Sequence, residues 1–188
     1  LVETAAKACD YLHVFVLSTD SSEFPSDVRL KLVEQGCAHL PNVFVHGSSD
    51  YLISHATFPD YFLKDKAAAT EKAAVLDLQI FGTYFKDAFH ITGRFVGEEP
   101  FSLITRAYNE QMKKILPSFD IEVTEIPRCQ KDNTIISATF VRQKFLEGEY
   151  SLLKEFVPPS TYNYLISPAG KELRNSLLAK ETISGASL

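Results

Sequence analysis

The chain has 188 residues, 45% hydrophobic, 12% aromatic and 23% charged, proportions of an ordinary globular domain that exclude a fibrous, collagen-like or disordered chain. At this length a domain buries roughly 70% of the surface its unfolded chain exposes, so no metal or disulfide staple is needed for stability. Nineteen Lys and Arg against 24 Asp and Glu give a formal charge of -5, which argues against a sequence-independent grip on nucleic acid and means that any phosphate ligand is held by a few local groups.

In chain order, Leu1, Val2, Ala5, Ala6 and Cys9 form an apolar stripe at helical spacing with no Ser, Thr, Asp or Asn cap before them. Leu1 is therefore read as already inside a helix, and the sequence as a fragment of something longer. A strand pattern follows over residues 11–17, then a helix over 26–40 with Val28, Leu32, Val33, Cys37 and Leu40 on one side. Residues 42–46 read as a strand, and 67–89 as a long helix carrying Ala73, Leu76, Ile80, Phe81, Tyr84, Phe85 and Ala88. Residues 91–96 are a third strand, 101–116 a helix with Ile104, Tyr108, Met112 and Ile115, and 121–126 a fourth strand. Such alternation implies parallel pairing with right-handed crossovers: a Rossmann-like α/β fold, an open parallel sheet flanked by helices. Beyond it, helical patterns cover 137–146 and 151–156, and after a Pro158-Pro159 break one runs through Tyr162, Leu165, Leu173 and Leu177 to a frayed Ser-Gly-Ala-Ser end. The division expected is an α/β domain over 1–157 and a helical appendage over 158–188.

Cys9, Cys37 and Cys129 are an odd number at wide spacing with no Cys-x-x-Cys pair, which fits a reducing cytoplasm. The longest apolar runs are strand-length, far short of the roughly 20 residues that cross a bilayer, so no signal peptide, span or membrane partner is expected. The five histidines show no metal-ligand spacing.

In an open parallel sheet, ligands bind beyond the carboxyl ends of the strands, where loops converge and helix N-termini point inward. The loops concerned hold Asp20, Ser21, Ser22, Asp50, Glu98, Glu99 and Arg128. Neither Gly-x-Gly-x-x-Gly nor Gly-x4-Gly-Lys-Ser/Thr occurs, so the two common phosphate cradles are absent. The better candidate is Ile136-Ser137-Ala138-Thr139-Phe140-Val141-Arg142. Ser137 caps a new helix, its backbone N–H groups and the Thr139 hydroxyl face an anion, and Arg142 leans back toward the same end. Plain capping explains Ser137 and Thr139 equally well.

With Ser22-Glu23-Phe24-Pro25 and Arg29 after the first strand and Ile-Ser-x-Thr-x-x-Arg after the last, the chain resembles the nucleotidylyltransferase superfamily. Within it the likeness is to the C-terminal catalytic region of the citrate lyase ligase family, over about residues 1–159. It is carried by Asp10-Tyr11-Leu12-His13, Asp20-Ser21-Ser22, Ser49-Asp50-Tyr51-Leu52-Ile53-Ser54, the stretch 56–65, Leu76-Asp77-Leu78-Gln79-Ile80-Phe81, Arg94-Phe95-Val96-Gly97-Glu98-Glu99-Pro100-Phe101, Thr105-Arg106-Ala107-Tyr108-Asn109-Glu110-Gln111-Met112 and Ile126-Pro127-Arg128. The resemblance implies an ATP-using, AMP-forming acid–thiol ligase. It implies that ATP, with Mg²⁺ carried on its phosphates, adenylates acetate, and that the acetyl group passes to the thiol arm of the citrate lyase acyl carrier subunit. The superfamily's His-x-Gly-His motif is not in this sequence. That motif and the central first strand are expected upstream of Leu1, so that the catalytic residues are unknown and the chain alone is expected to be inactive.

The residues the resemblance assigns to the nucleotide are Ser137, Ala138, Thr139, Arg142, Gly97, Glu98, Glu99, Arg29 and Arg128. His46, Tyr51 and Arg106 are candidate contacts for substrate or carrier. For each a plainer role competes: Arg29 as an exposed helix residue, Glu98 and Glu99 as carboxylates favoured at a helix start, and Arg106 in a surface pair with Glu110. Two other functions use the same Ile-Ser-x-Thr element: adenylyl transfer to a phosphorylated small molecule, of the pantetheine phosphate or nicotinamide nucleotide type, and nucleotide binding without catalysis.

Overall fold

Four strands form where β-branched and aromatic residues are densest: β1 (Leu12–Val16), β2 (Val43–Gly47), β3 (Gly93–Gly97) and β4 (Glu122–Ile126). The computed structural model describes residues 1–18, 22–48, 52–53, 70–128, 130–131 and 134–185. β1 runs parallel to β2, with Leu12 opposite Val43 and Val16 opposite Gly47. β3 runs parallel to β4, with Gly93 opposite Glu122 and Gly97 opposite Ile126. Parallel neighbours need a long crossover; α2 (Ser26–Cys37) lies in the first, and α5 (Leu103–Ile115) with a 3₁₀ turn at Leu116–Phe119 in the second. The α/β class and parallel pairing hold as expected. The described strands form two parallel pairs, β1 with β2 and β3 with β4. A further small hairpin, β5 (Gln130–Lys131) against β6 (Thr134–Ile135), occupies a stretch the sequence reads as loop.

The chain divides into two compact units, each assembled from two stretches: Leu1–Ser21 with Asn42–Arg128, and Ser22–Pro41 with Cys129–Leu188. The 157/158 boundary expected from sequence falls inside the second. In the first unit a short helix, α1 (Val2–Ala6), precedes β1, and the Asn42 amide caps its end by donating to the Ala6 and Cys9 carbonyls at 2.8 and 3.0 Å. The core lies between the strands and the helix pair α3 (Thr70–Ile80) and α5, where Leu78, Leu116, Ile121 and Met112 are buried, with Phe15 and Val96 packed against them.

The expected long helix over 67–89 is interrupted. α3 gives way to a π-helical turn at Phe81–Phe85 and then to α4 (Lys86–Phe89), which ends on His90 in the left-handed region at φ 52°. A Cβ at Gly82 would stand 2.5 Å from Cγ of Phe119, so only glycine lets the backbone close on that ring, and the widened turn stacks Phe81 on Phe85 with centroids 5.7 Å apart.

A polar network crosses this core. Asp77, with no exposed surface, accepts from the Ile53 N–H at 2.7 Å and from the Tyr108 hydroxyl at 2.6 Å. Arg94 Nη2 reaches the Tyr108 oxygen at 3.4 Å, and its guanidinium lies 4.3 Å from the centroid of the Phe81 ring. Burial, against the opposing pull of Arg94, pushes the Tyr108 phenol above its usual range, so it stays a protonated donor to Asp77. The bond also holds Ile53 at φ 44°, a left-handed conformation that a β-branched residue rarely takes.

Apart from the β5–β6 hairpin, the described part of the second unit is helical. α6 (Ala138–Glu147), α7 (Tyr150–Phe156), α8 (Pro159–Ile166) and α9 (Pro168–Gly185) follow one another, and α2 packs on α8. Phe145, Leu153 and Leu165 form its buried centre, with Phe24, Val141 and Val157 against them. The Pro158-Pro159 break is where the sequence puts it, and Pro168 opens α9 in the same way: a proline in the first turn gives up no helix bond. α6 ends on Gly148 at φ 81°, and Arg174 of α9 donates from Nε to the Phe145 carbonyl at 2.9 Å and from Nη2 to the Leu146 carbonyl at 2.7 Å, a cation placed on the negative end of a helix. Among the described residues no helix is long and apolar enough to cross a membrane.

Candidate functional site

In the first unit, candidates from three segments meet at the carboxyl ends of β3 and β4. The parallel ladder runs one step past the strands, Glu98 N donating to the Ile126 carbonyl at 2.9 Å, and so sets Glu98-Glu99-Pro100 as a turn into α5. Glu99 turns back on that helix: its Oε1 accepts from the Phe101 and Ser102 amides at 3.0 and 3.1 Å, while Oε2 pairs with Arg128 Nη2. Burial works to raise the Glu99 carboxyl, but the Ser102 and Phe101 amides and the Arg128 guanidinium outweigh it and hold the group below the usual carboxylate range. Arg128 also donates from Nε to the Glu98 carbonyl at 2.8 Å. Arg106, one turn into α5, donates to the Glu99 and Pro100 carbonyls at 3.2 and 2.6 Å. The Arg106–Glu110 surface pair is not formed; Glu110 pairs with Lys113 at 2.9 Å instead. Gly97, Glu98, Glu99, Arg128 and Arg106 therefore belong to one cluster, and Glu98 alone presents an exposed carboxylate with no ion pair among the described residues.

In the second unit, the start of α6 is built as the sequence suggests. Ser137 is extended at φ -131°, and its Oγ accepts from the Phe140 N–H at 3.1 Å. The exposed Ala138 and Thr139 follow, at positions whose backbone N–H groups have no intrahelical acceptor. Arg142 Nη1 pairs with the Glu23 carboxylate at 3.1 Å, and Arg29 donates from Nε to the Phe24 carbonyl at 3.1 Å. Both arginines thus converge on one dipeptide, Glu23-Phe24.

His46 is the next-to-last residue of β2, beside Gly47 as the sequence suggests. Its Nε2 is 2.9 Å from Nδ1 of His13 and its ring is stacked on Phe15 with centroids 5.2 Å apart. Tyr51, Asp20, Ser21 and Asp50 lie outside the described residues, as does most of the aromatic stretch over 49–64. Sequence reasoning missed Asn109, 4% exposed, whose amide Nδ2 donates to the Gly97 carbonyl at 3.0 Å. The signal was present: a polar amide sits beside the apolar stripe of Ile104, Tyr108 and Met112. Among the described residues no three of His, Cys, Asp and Glu are grouped so as to hold a metal ion.

Residues 1–165 match the family model described as citrate lyase ligase C-terminal domain. The chain is 42% identical over 170 residues to the citrate (pro-3S)-lyase ligase of Haemophilus influenzae, covering 88% of this chain and 51% of that protein. It is 41% identical over 176 residues to the Klebsiella pneumoniae protein of the same name, covering 92% and 52%, and 41% identical over 170 residues to that of Escherichia coli, covering 88% and 48%. It spans about half the length of these relatives. On a match that takes in both clusters just described, the chain belongs to the citrate lyase ligase C-terminal domain family.

Proposed function

We propose that this chain forms the nucleotide-handling part of an AMP-forming acid–thiol ligase that activates citrate lyase. The observation that carries the reading is identity of 41–42% across 88–92% of the chain to three proteins bearing that name. In the proposed reaction a carboxylate oxygen of acetate attacks the α-phosphorus of ATP, the bond to the bridging oxygen breaks, and pyrophosphate leaves. The thiol of the prosthetic arm on the acyl carrier subunit, giving up its proton, then attacks the acetyl carbonyl, and AMP leaves. Such a step needs positioning and charge neutralisation rather than a covalent enzyme intermediate.

The residues fit these tasks. The uncommitted amides at Ala138 and Thr139 behind the Ser137 cap suit phosphate oxygens, and Arg142, exchanging Glu23 for the nucleotide, supplies positive charge, with Arg29 beside the same dipeptide. In the first unit, the turn of Gly97, Glu98 and Glu99, buttressed by Arg128, is a further nucleotide candidate, its exposed Glu98 carboxylate an acceptor for sugar hydroxyls. Mg²⁺ enters with the ATP substrate, carried on its phosphates. His46, Tyr51 and Arg106 are the candidate contacts for acetate or the carrier arm, with His46 beside His13 and Arg106 on the Glu99 and Pro100 carbonyls.

The test is pyrophosphate release by the full gene product. The expected result is release that depends on acetate and falls at least tenfold in Arg142→Ala, a loss equivalent to about 1.4 kcal/mol or more of transition-state stabilisation. Turnover that ignores acetate and carrier, or yields a dinucleotide product, overturns the reading.

A further inference from the structure

We infer that Asn109 is a positioning residue, a buried amide that fixes the turn over residues 97–100 in its ligand-ready shape before any nucleotide arrives; this rests on the nucleotide reading above. The turn has an unusual property. Its four successive carbonyl oxygens are all taken by side chains: Gly97 by Asn109 at 3.0 Å, Glu98 by Arg128 at 2.8 Å, and Glu99 and Pro100 both by Arg106 at 3.2 and 2.6 Å.

The consequence is geometric. With a side-chain donor on each of the four carbonyls, the backbone of the turn is held in one conformation from both sides. What the turn offers is the exposed Glu98 carboxylate, an acceptor suited to the hydroxyls of a sugar. Preorganised dipoles of this kind need no rearrangement when the ligand binds, which is where their energetic advantage comes from.

Of the three side chains, Asn109 is set apart. The arginine bonds lie toward the surface, where water competes for the same carbonyls, whereas Asn109 is 4% exposed. Its bond to the Gly97 carbonyl is part-buried and meets less competition from water, and its loss leaves Gly97 O with no partner among the described residues. Asn109 also occupies a helix face shared with the buried Tyr108 and Met112, where an apolar residue would pack without a polar group to satisfy. Being neutral, the amide adds no charge to the site, so its effect is geometric: it sets where β3 stops and where Glu98 begins.

The experiment uses the full gene product, Asn109→Ala and the isosteric Asn109→Asp, with ATP affinity measured by calorimetry between pH 5.5 and 8. Asn109→Ala is expected to bind ATP about tenfold more weakly than wild type, the loss of one part-buried hydrogen bond, by the same factor at every pH. Asn109→Asp is expected to be as weak at pH 8, where a carboxylate would face the Gly97 carbonyl. It should recover toward wild type at pH 5.5, where the buried carboxyl is protonated and donates an O–H to that oxygen. Amide hydrogen exchange without ligand should quicken over residues 98–102 in Asn109→Ala while α9 keeps its protection. Wild-type binding with unaffected variants, or an Asn109→Asp affinity that tracks Asn109→Ala at every pH, overturns the role of Asn109 alone. Loss of protection throughout α5 and β4 overturns it in favour of a purely structural role. A wild-type chain that does not bind ATP overturns the nucleotide reading and this inference with it.

Discussion

His13 Nδ1 and His46 Nε2 lie 2.9 Å apart across β1 and β2, so one ring holds the shared proton while the other accepts it, and charging both is opposed. Burial first and the neighbouring His46 second hold His13 below the ordinary histidine range. A group whose folded value is depressed binds more protons unfolded. Its stabilising contribution is therefore complete above the unfolded value of about 6.5 and is lost as pH falls through the folded one. Denaturant midpoints should drop between pH 7.5 and 5, and drop less in His13→Phe; an equal decline in both would place the pH dependence elsewhere.

Removing the Asp77 carboxylate takes the acceptor from two donors at once, the part-buried Ile53 N–H and the buried Tyr108 hydroxyl. Asp77→Ala should lower unfolding free energy by about 3 kcal/mol, and Tyr108→Phe, which leaves the Ile53 bond in place, by about 1 kcal/mol. Equilibrium denaturation separates them. Equal losses would mean that the tyrosine bond accounts for the whole effect.

At Gly82 the sign of an alanine substitution should depend on the partner ring. With Phe119 present, the added Cβ meets Cγ at 2.5 Å, and Gly82→Ala should destabilise by about 1–3 kcal/mol. In a Phe119→Ala background the space is open, and the better helix propensity of alanine should make the same change stabilising by about 1 kcal/mol. A double-mutant cycle reads this directly.

Arg174 bridges the last carbonyls of α6 from another helix. Arg174→Ala should cost about 1–2 kcal/mol, and Arg174→Lys should recover only part, because an ammonium is a point donor and not a fork. Thermal unfolding of the two variants measures the difference.

The sequence located β1 to β4 to within two residues because they centre on short runs rich in β-branched and aromatic residues set between longer helical patterns, and it missed the β5–β6 hairpin. It located the Ser137 cap because capping is a local event, decided by Ser137 and the Phe140 amide three residues on. What it could not show is decided at a distance. Asp77 reads as a solvated helix carboxylate, yet its partners come from 24 and 31 residues away. The π-helical turn sets Gly82 against Phe119, far down the chain, and the helical period looks the same with or without it. Arg106 could be paired with Glu110 on spacing alone; only the turn of β3 into α5 brings the Glu99 and Pro100 carbonyls within its reach.

The interleaved construction of the two units sets an order of events during synthesis. α2 leaves the ribosome early, but Pro158 and Ser160, which pack beside its Gly36, are made about 120 residues later, a wait on the order of 6–24 s at ordinary elongation rates. Throughout that interval the β3–α5–β4 segment is emerging with its partners already close in sequence, while the apolar side of α2 stays uncovered. Nascent chains stalled before residue 158 should therefore be those in which this helix is most open to chaperones and proteases.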